Sequence, residues 1–169
     1  MLRRCYDGKH KEKHQTYKNC TVYNDWLYYP NFKKWYDENY YEIEGQRTEL
    51  DKDILNKGNK VYSPINCVFV PKLINSLFIK NDANRGDLPI GIHWDKRSKK
   101  YQVQCHIFTP LSQESKQKYI AQFTTPQEAF NAYKKTKEEK IKLVADYYRD
   151  QIPEKLYEAM YRYEVHIDD

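Results

Sequence analysis

Apolar and polar residues alternate most cleanly between 101 and 108. Tyr101, Val103, Cys105 and Ile107 fall on one side of an extended chain, and Gln102, Gln104 and His106 on the other. This period of two predicts an antiparallel strand with one buried and one polar face. A short strand at 90–94 precedes it across a charged turn at 95–100. A third, at 118–123, follows a polar loop after Thr109-Pro110. The period then changes to that of a helix. Thr125 reads as the cap, Pro126 takes the first helical position, and Glu128 stands where a capping box requires it. Behind them Ala129, Phe130, Tyr133, Ile141, Val144, Ala145 and Tyr148 mark an apolar stripe. The opposite side, Lys134, Lys135, Lys137, Glu138, Glu139, Lys140 and Lys142, reads as solvated. Pro153 restarts a short helix that turns Leu156, Met160 and Tyr163 inward.

The N-terminal half is less regular. Trp26, Tyr29, Phe32, Trp35 and Tyr36 have broadly helical spacing, but Pro30 interrupts it. The spacing predicts a short helix on either side, with Asn31 capping the second. An apolar run at 50–55 and a buried strand at 67–70, bounded by Pro64 and Pro71, flank a turn at 56–60. A helix over 72–78 keeps Leu73, Ile74 and Leu77 on one side. The polar stretch at 81–87 reads as a linker, giving an N-terminal region 1–80 and a C-terminal domain 88–169. The fold class expected is α+β: a ββα unit followed by a three-stranded antiparallel sheet packed on one long helix.

Composition narrows the function classes. Hydrophobic residues make up 40% of the 169 positions and charged residues 31%, too apolar for a disordered chain. No apolar run approaches the ~18–20 residues that span a bilayer. The basic start Met1 to Tyr6 is not followed by an apolar stretch, so no secretory signal is expected. The four cysteines show no paired spacing, which points to free thiols in a reducing compartment. A net charge of +5, with seventeen tyrosines among lysines and asparagines, suits an acidic partner and aromatic stacking.

With the long helix on the apolar side of the sheet, the other side presents Gln102, Gln104 and His106, His93 and Asp95 from the first strand, and Gln117 and Tyr119 from the third. Lys96, Arg97, Lys99 and Lys100 crowd the first turn. Glutamine can pair bidentately with adenine in the major groove, and a basic turn can hold phosphates. Any half-exposed sheet has a polar face, so periodicity alone favours a structural role over base readout.

Certain runs add a family. Gly91-Ile92-His93-Trp94, Lys100-Tyr101-Gln102-Val103, and the stretch from Ile120 through Phe123-Thr124-Thr125 to Glu128-Ala129 and Ala132-Tyr133 resemble the APETALA-type DNA-binding domain of plant ethylene-response factors and phage homing endonucleases. The resemblance covers about sixty residues. It implies double-stranded DNA as partner, with His93, Asp95, Gln104, His106 and Tyr119 facing the major groove. The arginines that dominate the plant face are missing, so sequence preference does not carry over.

The segment with Leu50-Asp51-Lys52-Asp53-Ile54-Leu55, Asn59-Lys60, Asn66 to Val70 and Asn75 resembles the frame of an HNH nuclease. That resemblance implies a phage or prophage protein in the cytoplasm of a bacterial host. It also implies, if active, a magnesium- or manganese-dependent homing endonuclease. The positions of its histidine pair read Asp51-Lys52, which leaves Asp51, Asp53, Asn66 and Asn75 as candidates and no usual base. The segment therefore reads as degenerate. A structural zinc held by Cys5, His10, His14 and Cys20 is a separate candidate, though the spacing lacks the usual close cysteine pair. The Arg3-Arg4-Cys5-Tyr6 start reads like a point already inside the family pattern, as a truncated N-terminus would. Target sequence and oligomeric state are not encoded legibly.

Overall fold

The computed structural model describes residues 1–78, 88–109 and 114–167, with the side chains of 107–115 outside that description. The chain divides into two compact units, Met1–Phe78 and Ile79–Asp169. The stretch expected as a linker, 81–87, and the orientation of Ile107 lie outside the described residues.

In the first unit, α1 (Leu2–Tyr6), α2 (Gly8–Lys13) and a 3-10 turn (Gln15–Tyr17) lead to β1 (Thr21–Val22). A second 3-10 turn (Asn24–Leu27) precedes α3 (Tyr29–Asn39). There follow β2 (Thr48–Asp51), β3 (Val61–Tyr62), β4 (Val68–Pro71) and α4 (Lys72–Ser76). β1 runs parallel to β3, and β2 antiparallel to β4. Aromatic rings fill the core: Trp26 lies 4.6 Å from Trp35, and Trp35 stacks on Phe69 at 5.5 Å. The Tyr41 hydroxyl donates to the Phe69 carbonyl at 2.8 Å, closing the far side.

Of the two short helices expected on either side of Pro30, the first is the 3-10 turn Asn24–Leu27. The second starts before Pro30 rather than after it: Pro30 sits in the first turn of α3, where its missing N–H loses no bond and its fixed φ already fits. Tyr28 is the cap, Asn31 lies inside the helix, and Tyr29 is exposed rather than part of the apolar stripe.

In the second unit, β5 (Ile92–Asp95), β6 (Lys100–Thr109) and β7 (Glu114–Phe123) form an antiparallel meander in the order β5-β6-β7. The last strand starts four residues earlier than the pattern at 118 suggests. α5 (Pro126–Tyr147) opens with a complete capping box. The Thr125 hydroxyl accepts the Glu128 N–H at 3.2 Å, and the Glu128 carboxylate accepts the Thr125 N–H at 3.2 Å. Ala129, Phe130 and Tyr133 then pack on Ile92, Val103 and Cys105. α6 (Glu154–Tyr161) folds back and buries Leu156, Ala159 and Met160. The tail is tied to α5, where Glu138 accepts the Val165 N–H at 2.8 Å and the Lys134 ammonium donates to the Val165 carbonyl at 3.0 Å.

One position on the helix departs from its expected side. Lys140, expected among the solvated residues, is buried at 6% exposure. Burial, and then the charge of Lys137, push its pKa down to about 8.

Candidate nucleic-acid interface

Register decides which side chains share a face, because directly opposed residues of an antiparallel pair point the same way. His93 opposes Gln102, and Asp95 opposes Lys100. Gln102 opposes Gln122, Gln104 opposes Tyr119, and His106 opposes Gln117. These residues form the face turned away from α5, and every one of the strand residues expected there is on it. His93, His106, Gln117 and Tyr119 are exposed, with Tyr119 at 53%.

The arrangement depends on an irregularity. Partners shift between Val103↔Ala121 and Gln104↔Tyr119, so Ile120 is an extra residue in β7. Strict alternation from Phe123 and Ala121 would send Tyr119 and Gln117 to the helix side. The bulge reverses the parity and turns both outward, while Ile120 packs on the core. It also puts Lys118 opposite Cys105, on the helix side of the sheet yet exposed.

Asp95 organises the face. Its carboxylate accepts the Ser98 hydroxyl at 2.6 Å and the Arg97 N–H at 2.9 Å. It also accepts the side-chain amides of Gln102 at 3.2 Å and Gln122 at 3.4 Å. The bond from Ser98, followed by that from Arg97, holds this carboxyl below the usual aspartate range. Asp95 thus fixes the hairpin and aligns two glutamines. Gln122 was missed at the sequence level. Its signal is indirect: once Phe123 is matched with Tyr101, the neighbour of Gln102 has to be Gln122.

A second amide pair lies further along the sheet. The Gln117 amide donates to the Gln104 carbonyl at 2.6 Å. Each spends one group, leaving an NH2 on Gln104 and a carbonyl on Gln117, the donor and acceptor types that complement adenine's N7 and N6.

The turn between β5 and β6 is strained. Lys99 has φ +52, the left-handed region that glycine or asparagine usually fills. Lys96, Arg97 and Lys100 are exposed beside it. Trp94, at 45% exposure, lies 4.7 Å from Tyr101 at the edge of the same hairpin.

The ββα segment of the first unit is occupied by its own contacts. One Asp51 oxygen accepts the N–H groups of Asp53 and Ile54 at 2.9 and 2.8 Å. Burial, then the charge of Asp53, push the Asp51 carboxyl upward. The Lys52 ammonium, 5% exposed as a residue, donates to the Asn59 carbonyl at 3.1 Å and lies 3.2 Å from Asp53. Asn66 bonds Asn59 and Asn56, and Asn75 donates to Glu49 at 2.9 Å. Asp51 and Asp53 thus interact with each other, whereas Asn66 and Asn75 are bonded to Asn59, Asn56 and Glu49. Among the described residues no group of three or more His, Cys, Asp or Glu is placed to hold a metal ion. That includes the zinc set. Cys5 and Cys20 are buried in the aromatic core with Cys67, whereas the His10 and His14 rings lie tilted against each other at 4.5 Å.

Comparison with protein-family models, with curated proteins and with solved structures gave no match. Among the described residues no helix is long and apolar enough to cross a membrane.

Proposed function

We propose that the chain binds double-stranded DNA, with the outer face of β5, β6 and β7 in the major groove and the basic turn at 96–100 on the phosphates. The reading includes the APETALA-type ancestry and a phage or prophage setting in a bacterial cytoplasm. The observation that carries it is the bulge at Ile120, which turns Gln117 and Tyr119 onto the face away from α5 that also holds Gln102, Gln104, Gln122, His93 and His106. Three strands span about 10 Å between their outer axes, comparable to the roughly 12 Å width of the groove. The strained Lys99 supports the same reading, since a left-handed lysine costs about 1–2 kcal/mol that glycine would avoid. In this account Asp95 is a positioning residue. The two glutamine pairs and Tyr119 meet base edges, and Lys96, Arg97, Lys99 and Lys100 fix the register.

The rival reading is a magnesium- or manganese-dependent HNH-type endonuclease, and it draws on the order β2, β4, α4. Against a divalent ion there, one Asp51 oxygen already accepts two backbone N–H groups, and a lysine ammonium sits beside Asp53. No histidine occurs between 49 and 80 to serve as base. The test uses labelled random-sequence duplexes at low salt, alongside supercoiled plasmid with magnesium or manganese. Retarded duplex without nicking is expected. Absence of any retardation overturns the DNA reading, and nicking abolished by Asp51→Ala installs the rival.

A further inference from the structure

The chain's charge is unevenly placed. Residues 1–20 hold six lysines and arginines against two acids, so they carry +4 of the net +5, and the rest balances to +1. The fold makes a surface of this segment. Cys5 and Cys20 are buried beneath it. The Tyr6 hydroxyl accepts the Val22 N–H at 3.2 Å, and the Lys60 ammonium donates to the Thr16 carbonyl at 3.3 Å. Arg3, Arg4, Lys9, Lys13, Lys18 and Lys60 are exposed on it.

Two further features bear on its use. The Arg4 guanidinium lies 5.2 Å over the Tyr17 ring, which pre-orders a long side chain before any partner arrives. Positive fields converge on His10, whose imidazole is pushed below its ordinary range by desolvation and then by His14, Arg3 and Arg4. Of the two acids, Asp7 caps α2 through the His10 N–H at 2.9 Å and lies 3.9 Å from Arg3.

We propose that this basic face of the first unit is a second, sequence-independent contact that rides the phosphate backbone of the same duplex. The inference rests on the DNA reading of the sheet. Charge complementarity selects the partner, because a phosphate array rewards several fixed cations on one surface. Tethering makes the second contact intramolecular and raises overall affinity without new base readout.

The test compares full-length wild type with the triple variant Arg3→Gln, Lys9→Gln, Lys13→Gln and with a charge-matched control, Lys34→Gln, Lys135→Gln, Lys142→Gln. Binding to duplexes of about 30 base pairs is measured against salt. Each lost phosphate contact lowers the slope of log K against log salt by about 0.9, so the first variant should lose about 2–3 in slope. Its affinity should fall about tenfold or more on every sequence, and hydroxyl-radical protection should recede on one flank. The control should keep the wild-type slope. An unchanged slope and footprint, or an equal loss in the control, overturns the proposal. If wild type retards no duplex, the sheet reading has failed. If Gln104→Ala alters sequence preference while the triple variant binds as wild type, this proposal alone has failed.

Discussion

A methyl group on Gly91 would stand 2.4 Å from the ring of Tyr133. The same methyl would lie 2.7 Å from the Gln104 carbonyl, and Gly91 itself has φ +76. Its carbonyl accepts the Gln104 N–H at 2.8 Å. Gly91 therefore lets the long helix approach the sheet at the strand that carries the central glutamine. Gly91→Ala should destabilise the second unit by about 3 kcal/mol, combining backbone strain and overpacking. Urea denaturation measures this, and a loss under 1 kcal/mol would show that the helix yields instead.

Lys99 allows charge and strain to be separated. Lys99→Gly should be more stable than Lys99→Ala by about 1 kcal/mol, because only glycine occupies φ +52 without penalty. Both changes should weaken DNA binding by a similar factor. A variant pair that differs in affinity as much as in stability would place the turn's role in folding, not in contact.

Much of the second unit was legible in the sequence. Tyr101, Val103 and Cys105 alternate with glutamines and a histidine, and the Thr125–Glu128 box marks the helix start, both local signals. The bulge at Ile120 was not, since an extra residue is invisible to an alternation count. Lys140 was misread by type: it stands seven residues after Tyr133 and four before Val144, helical spacings that put its stem against the core. In the first unit, β1 and β3 are two residues each and pair in parallel across the sequence. Nothing local announces such a contact. The asparagine and lysine bonds that fill the ββα segment are likewise set by tertiary structure.

The burial of Lys140 predicts a particular pH response. The unfolded chain keeps this proton to about pH 10.4, whereas the folded state releases it near 8. Between those values the unfolded state binds more protons, so this group's contribution to stability rises with pH. Lys140→Met should be about 1–3 kcal/mol more stable than wild type at pH 7, with the gap narrowing by pH 10. Destabilisation by methionine at pH 7 would contradict this.

At acid pH two carboxylates act in the same sense. Bonds from Thr125 and Thr124 hold Glu128 below its ordinary value of 4.5, and those from Ser98 and Arg97 hold Asp95 below 3.8. Both carboxylates stabilise the fold above those ordinary values. That contribution is lost as pH falls through their lowered folded values. The Tm should drop below about pH 4.5, and less steeply in Glu128→Gln, which keeps the capping geometry without the titration. Parallel curves for the two proteins would remove Glu128 from the account.

The most direct test is selection of bound duplexes from random DNA, run in parallel with wild type and Gln104→Ala. If the outer face reads bases, wild type yields a consensus, and the variant loses preference at one or two positions while retaining most of its affinity. An identical consensus from both proteins, or no enrichment from either, would contradict the docking of this face.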